Sequence, residues 1–552
     1  MPNTKRPRDL VPTRALVALT VREHRAGIVA WVVGSALAMA FEAFALAKEL
    51  REFPGGPVAL ANVVMPAVEA MRPLRWPAER LDTIGGYLTF HNIVLFQAFL
   101  AIYGAVQGAR AIRGLEERHA LESMIASGRS RWGLLCDRAL GFLVVDVLIA
   151  VGLGAGIALS MMAVGEADTA GSFINALAIG ACTLAAYAFG LLVSQLAGTG
   201  RGAAGVSVVV LFVLYLITNT WERIGVAGVL RFASPFYWAN MSRALVPGYG
   251  LDLGSIIMLA AMAVAFLVLA GIAFARRDYG AALWPRRARA GAGAPAVTQR
   301  WWLRRPWTAQ LAVHRIGLTA WAVSVAAYAA FMMAMQPTVM EAWSMIAFVG
   351  DLMGSPQTPK ETLYTSFTGD VAAPIVVAFV ITQASTWVAD LREGRVEAVL
   401  ATPVSWSRLV FERLVATAVG VAVITLAWTG ATVAVSLAVG APIDLPGVLR
   451  LDLVCLLLGV ATAVIAAFVV NAVRLPLAVT VLAAYAGAAY LLTWLIPIFE
   501  WPDWLGRLTV FDAFGHPYQD WPAWTGLAVL LLLVGPGAVV AARIAERAPK
   551  VG

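Results

Sequence analysis

Apolar runs of about twenty residues recur along almost the whole chain, and each is long enough to cross the hydrocarbon layer of a bilayer as a helix. Twelve such runs can be read, roughly at 28–47, 87–109, 139–163, 173–197, 202–220, 254–275, 316–335, 370–389, 414–437, 450–471, 476–496 and 524–542. The composition agrees: 60% of the 552 residues are hydrophobic and only 13% are charged, about half the usual charged share of a soluble protein. A soluble enzyme, a disordered chain and a nucleic-acid binder are excluded on these grounds. The expected fold is an all-α polytopic membrane protein.

The Lys and Arg positions orient it. With the N-terminus inside, roughly three quarters of the 41 basic residues fall in inner segments. This positive-inside bias favours an even number of spans, both termini in the cytoplasm and a multi-pass place in the plasma (inner) membrane. The basic stretch to about Arg25 precedes a run long enough to span, so it does not read as a cleavable signal. Cys136, Cys182 and Cys455 are scattered and suggest neither a disulfide nor a metal framework, and the five His lack metal spacing.

The sequence repeats. His24-Arg25-x-Gly27-x-x-Ala30-Trp31 recurs 290 residues on as His314-Arg315-x-Gly317-x-x-Ala320-Trp321. Glu122, Ala126, Ser130, Leu134 and Arg138 recur 275 residues on as Glu397, Ala401, Ser405, Leu409 and Arg413. The boundary between the copies is a basic, Gly/Ala/Pro-rich linker. The expected organisation is a first half at 1–275, a linker at 276–306 and a second half at 307–552. Six spans per half give both halves one topology, as parallel repeats.

No catalytic site is legible. A P-loop needs Gly-Lys-Ser/Thr, and none of the four lysines (Lys5, Lys48, Lys360, Lys550) follows a glycine. If ATP drives this chain, another subunit holds it. The inner segments after spans two and eight, about 114–131 and 391–408, are charged at their start and then amphipathic. Leu121, Met124 and Ile125 share one helical face in the first, and Val396, Val399 and Leu400 do so in the second. A helix of this kind either rests on lipid headgroups or docks a soluble partner; its duplication favours docking.

The segment Glu393-Gly394-Arg395-Val396-Glu397-Ala-Val-Leu400-Ala401-Thr402-Pro403-Val404-Ser405 resembles the signature loop of ABC-2-type transporter permeases. The run ending Ala275-Arg276-Arg277-Asp278 resembles the close of their sixth span. The likeness covers both halves and is nearest to fused, twelve-span permeases of actinobacterial antibiotic exporters of the tetronasin-resistance type. In half one Ser127-Gly128-Arg129 stands where half two has Thr402-Pro403-Val404, a departure that bears on whether both docking sites are equivalent.

This resemblance implies type V exporter-like transmembrane domains fused in one chain. Each half would carry an elbow helix (including Leu16–Arg25 and Trp307–Arg315), six spans and a coupling helix. Two copies of a separate ATP-binding subunit would dock below, holding ATP and Mg, with no cofactor on this chain. Arg118, Glu122, Arg131, Glu393, Arg395 and Glu397 would lie in the docking regions. A cavity would form between the second and fifth spans of the halves. Its expected lining is Asn92, Phe96, Phe99, Tyr103 and Gln107, then Phe212, Tyr215 and Asn219, then Phe379, Thr382 and Gln383, then Tyr485 and Tyr490. Aromatic walls with a few amides suit a bulky, amphipathic small molecule.

Two acids, Glu42 and Asp146, fall inside expected spans, where a charge costs at least about 2.5 kcal/mol. They support a second reading, a proton- or ion-driven twelve-span secondary transporter with no ATPase partner. A third, a membrane-embedded enzyme, would draw on Glu69, Glu79 and Asp82 in the first outer loop.

Overall fold

A computed structural model describes residues 13–281 and 305–547, apart from 54, 73, 74, 127, 223, 280, 344–359, 473, 474, 499 and 500. Every regular element among them is helical. That follows from the solvent: no water reaches the hydrocarbon core, so a spanning backbone must satisfy its own N–H and C=O groups. The chain divides into two compact units, Met1–Ala292 and Gly293–Gly552.

The first unit begins with α1 (Thr13–Glu52) and α2 (Gly56–Ala70). Next, α3 (Ile84–Leu88) runs through one π-helical turn (Thr89–Ile93) into α4 (Val94–Ala111). Two short helices follow, α5 (Arg113–Glu117) and α6 (Ala120–Ala126). The long α7 (Arg131–Ala163), α8 (Thr169–Leu196) and α9 (Gly200–Thr220) come after them. A 3-10 segment (Gly225–Ala233), α10 (Pro235–Ala239) and α11 (Leu253–Arg276) complete it. Ser130, Asp168, Thr199 and Asp252 start α7, α8, α9 and α11, each side chain accepting from the backbone N–H three residues on.

Within this unit α1 lies along α7, and α4 lies along α8, which also meets α7 and α11. Small residues allow the closest of these approaches. A Cβ on Gly108 would sit 2.0 Å from the Tyr187 carbonyl, and one on Gly190 would sit 2.1 Å from the Ala105 carbonyl. Packing without side chains at the crossing is how helices associate where lipid removes the hydrophobic drive. Met39, Leu121, Phe142 and Tyr187 are buried, whereas Val147, Val151, Leu159 and Met162 point outward from α7.

The second unit contains α12 (Pro306–Trp343), α13 (Lys360–Asp370), α14 (Ala372–Arg392), the short α15 (Arg395–Leu400), α16 (Trp406–Val439), α17 (Leu445–Ala472) and α18 (Leu475–Ile498). It ends with a 3-10 segment (Asp503–Leu508), α19 (Val510–Phe514), α20 (Trp524–Leu532), a π turn (Leu533–Gly537) around Pro536, and α21 (Ala538–Arg547). Its pairings mirror those of the first: α12 on α16, α14 on α17, and α16 on α17.

Eleven helices are long and apolar enough to cross a membrane among the described residues, against twelve expected. The remaining expected span, 476–496, lies in α18, whose apolar stretch Leu477–Thr493 is shorter than the others. The expected elbow helices are not separate elements. Leu16–Arg25 and Trp307–Arg315 are the opening turns of the continuous helices α1 and α12. No proline interrupts Thr13–Glu52, and in α12 Pro306 opens the helix at a position that tolerates it, with Pro337 next. Most of the linker lies outside the described residues.

Candidate functional site

The segment after α4 folds as the two short helices α5 and α6. The turn between them is left-handed: His119 has φ +56°. In the second unit α14 ends at Arg392, and Gly394, with φ +68°, starts α15. His119 and Gly394 are 275 residues apart, the same offset as the sequence repeat. Both short helices therefore leave their span through the same backbone turn. Each is followed by a serine cap, Ser130 or Ser405, that starts the next long helix at the same offset.

The apolar faces expected from spacing turn inward in part. Leu121 and Val396 are buried, with Met124 and Ile125 packed against the core of the first unit, while Val399 is exposed. Glu122 and Glu397 are exposed on the short helices. Arg395 pairs with Asp390 at 3.0 Å and with Glu393. The hydrogen bond to Glu393 holds the Arg395 guanidinium above its ordinary range. Arg118 instead caps its own helix, donating to the Gly114 carbonyl at 2.9 Å. Desolvation first, and then the charge of Glu122, hold the Tyr279 hydroxyl, beyond α11, above its ordinary range. Arg131 donates to the carbonyls of Phe274 and Arg277, at 2.8 and 2.6 Å.

Behind this surface lies a charged cluster that sequence reasoning missed. Arg113, Glu116 and Arg277 are all buried and joined through both Glu116 oxygens. Burial pulls Arg277 below the ordinary guanidinium range, and Glu116 opposes that. The signal was faint. Arg113 and Glu116 read as the charged start of the segment after span two, and Arg277 as part of a family pattern.

Within each unit the expected cavity residues differ in their exposure. On α4, Phe99 is exposed and Phe96 and Gln107 are half-buried, as is Asn92 in the π-helical turn before it. Tyr103 turns into an aromatic cluster, with its ring 5.8 Å from Trp31, 6.5 Å from His24 and 6.2 Å from Phe142. Gln97, unmarked in the sequence, is the buried amide of this helix and donates to the Phe236 carbonyl at 3.2 Å. Phe212 is exposed on α9, while Tyr215 and Asn219 are buried, Tyr215 edge-on to Phe236 at 5.2 Å.

In the second unit Phe379 is buried against Trp321, 5.9 Å away. Thr382 is exposed and its hydroxyl closes back on the Phe379 carbonyl, and Gln383 is half-buried. Tyr485 donates to the Leu508 carbonyl at 3.3 Å, and Tyr490 packs edge-on to Phe511.

The intramembrane acids differ in their surroundings. Glu42 lies 2.6 Å from His91, in the π-helical turn that opens into α4. Asp146 is buried on α7 against Gly180, where an added Cβ would lie 3.4 Å from the carboxylate. At the matching crossing of α16 and α17, Gly459 packs on Val421. A third acid, Asp452 on α17, accepts from Thr429 at 2.6 Å and lines a narrow cleft with Ile424, Trp428 and Cys455. Two acids of the loop between α2 and α3 are engaged: Glu79 pairs with Arg243 at 2.8 Å, and the hydrogen bond from Arg80 holds the Asp82 carboxyl below its usual range.

Comparison with known families now bears on this arrangement. Residues 37–279 match the family model described as ABC-2 family transporter protein. Residues 303–545 match the model described as Multidrug efflux system permease Rv1217c, C-terminal domain. No single curated protein matches the chain. The two matches together take in most of both units, with their membrane-spanning helices and their repeated short helices. The chain belongs to the ABC-2-type transporter permeases, the membrane-spanning subunits of ABC exporters, whose family implies an ATP-binding partner.

Proposed function

We propose that this chain is the membrane permease of an exporter that moves a bulky amphipathic compound, such as an antibiotic, drug or lipid-like molecule, out of the cytoplasm. Two copies of a separate ATP-binding subunit drive it, one beneath α6 and one beneath α15. ATP and Mg belong to that subunit. The observation that carries the reading is the pair of short helices set off by the left-handed turns at His119 and Gly394. Each presents an exposed glutamate, Glu122 or Glu397, at the same offset as the turns. A two-fold partner needs two such contacts. Hydrolysis moves cargo only if the cargo binds the inward- and outward-open states differently.

The test is affinity purification of the tagged chain from its native membrane, with identification of co-purifying chains and an ATPase assay. The expected result is an ATP-binding subunit at two copies per permease, lost in Glu122→Lys/Glu397→Lys. A chain that purifies alone and transports under a proton gradient would overturn the proposal. Asp146, Asp452 and Glu42 would then be the first residues to mutate.

A further inference from the structure

Glu116 is 6% exposed, and each of its oxygens is held by a different guanidinium. Arg113 Nη1 reaches Oε2 at 2.6 Å, and Arg277 Nη2 reaches Oε1 at 2.5 Å. The two arginines, 2% and 3% exposed, spend their other donors on the end of α8 and on Ala281. Arg113 donates to the Ser194 and Ala197 carbonyls at the end of α8, at 3.1 and 2.8 Å, and to the Ala281 carbonyl at 2.7 Å. Arg277 Nε donates to the Gln195 side chain at 2.8 Å, and its Nη1 to the Ala281 carbonyl at 3.1 Å. Nearby, Glu117 accepts from the Gly200 N–H at the start of α9, at 2.8 Å.

Two guanidiniums on one carboxylate leave a positive excess. The carbonyls at the end of α8 face it, and a helix C-terminus is where such an excess is best placed. A buried group of this kind holds its members in one geometry, because losing any one leaves a charge unpaired.

The second unit has nothing of the sort at these positions. The residues 275 on from Arg113 and Glu116 are Val388 and Leu391, and Val388 is buried among apolar neighbours. The charged contacts of that segment run elsewhere. Asp390 faces Arg413 on α16 at 3.7 Å and Arg395 at 3.0 Å. The matching arginine of the first unit, Arg138, instead reaches Glu23 on α1 at 2.9 Å.

We infer that Glu116 and Arg277 are positioning residues that fix the first docking segment to the ends of α8 and α11, whereas the second docking segment is tied to the start of α16. The inference rests on the docking reading above. Equal pressure on the two segments then moves different helices in the two halves. In half one it acts on the fourth and sixth spans together with the entry to the linker, besides the contact of Arg129 with Asp137 on the third at 3.2 Å; in half two it acts on the third.

Hydrogen–deuterium exchange of the full-length permease in lipid nanodiscs tests this without any partner. Amides of 113–126 are expected to exchange about tenfold or more slowly than those of 388–401. Glu116→Gln is expected to speed exchange at 113–126, 193–199 and 274–281 together and leave 388–401 unchanged. Arg277→Lys, which keeps the charge and loses the fork, should do the same more weakly. Equal protection of the two segments in the parent chain, or loosening of 113–126 alone in both variants, overturns the inference. Should Glu116→Gln fail to fold, the parent comparison and Arg277→Lys decide by the same criteria.

Absence of any docking on the parent chain would sink the exporter reading. The exchange experiment would still decide whether the two segments are anchored differently.

Discussion

His119 and Gly394 hold the same left-handed turn, 275 residues apart, at φ +56° and +68°. Glycine adopts this conformation freely, and a residue with a Cβ pays about 1–2 kcal/mol for it. The cost is carried in one half and avoided in the other. Gly394→Val should therefore destabilise the second unit by about 1–2 kcal/mol, while His119→Gly should be neutral or stabilising by up to about 1 kcal/mol. Thermal melts of the purified permease compare the two. Equal tolerance at both positions would mean that the turn relaxes when it is strained.

The α4–α8 crossing should reject side chains. Gly108→Val and Gly190→Val would each drive carbon into a backbone carbonyl, since a Cβ would lie 2.0 and 2.1 Å from it. Overpacking of this kind costs about 3 kcal/mol or more at backbone contacts, so folded yield should collapse. Gly34 and Gly205 meet nothing within 4 Å, and alanine there should be neutral or add about 0.5–1 kcal/mol. Size-exclusion profiles of the four variants provide the check.

Asp146→Val should preserve folding, because the matching crossing in the second unit packs around Val421. The reverse change, Val421→Asp, places a carboxyl in a fully buried position and should cost about 3 kcal/mol. ATP-driven export should survive Asp146→Val. Loss of transport with unchanged stability would instead favour an ion-coupled mechanism.

The His516–Asp370 contact, 2.7 Å long, should respond to pH. The hydrogen bond to Asp370 raises the His516 pKa above its ordinary value. The sign follows: the stabilisation is complete below about pH 6.5, the unfolded histidine value, and is lost as pH rises through the raised folded value. His516 is largely exposed, so the gain is at most about 1 kcal/mol. Melting temperatures between about pH 6 and pH 9 should fall gently in the parent chain, and His516→Gln should flatten that slope.

The spans were legible because hydrocarbon thickness sets a length that composition reveals directly; α7, α8 and α11 begin and end within a few residues of the runs read from sequence, apart from the polar first turns of α7. The repeat was legible through Glu122 and Glu397, which the fold sets after matching turns. Side-chain direction was not. Tyr103 shares a helical side with Phe99, yet its ring turns onto Trp31 and Phe142 while Phe99 stays exposed. Helical spacing places a residue on a face; it does not say which neighbour takes the ring. Arg113 and Glu116 were hidden for a related reason. In a chain this apolar, a charged run next to a span reads as solvated, and only the ends of α8 and α11 reveal that it is enclosed.

The contrast between Glu116 and Leu391 also bears on ancestry. When two identical chains pair across an axis, every mutation appears twice, and a change that helps one side is imposed on the other. Joining two copies in one reading frame removes that constraint. An ionic clamp can then arise in one copy while its sister keeps a leucine, and each half is free to specialise.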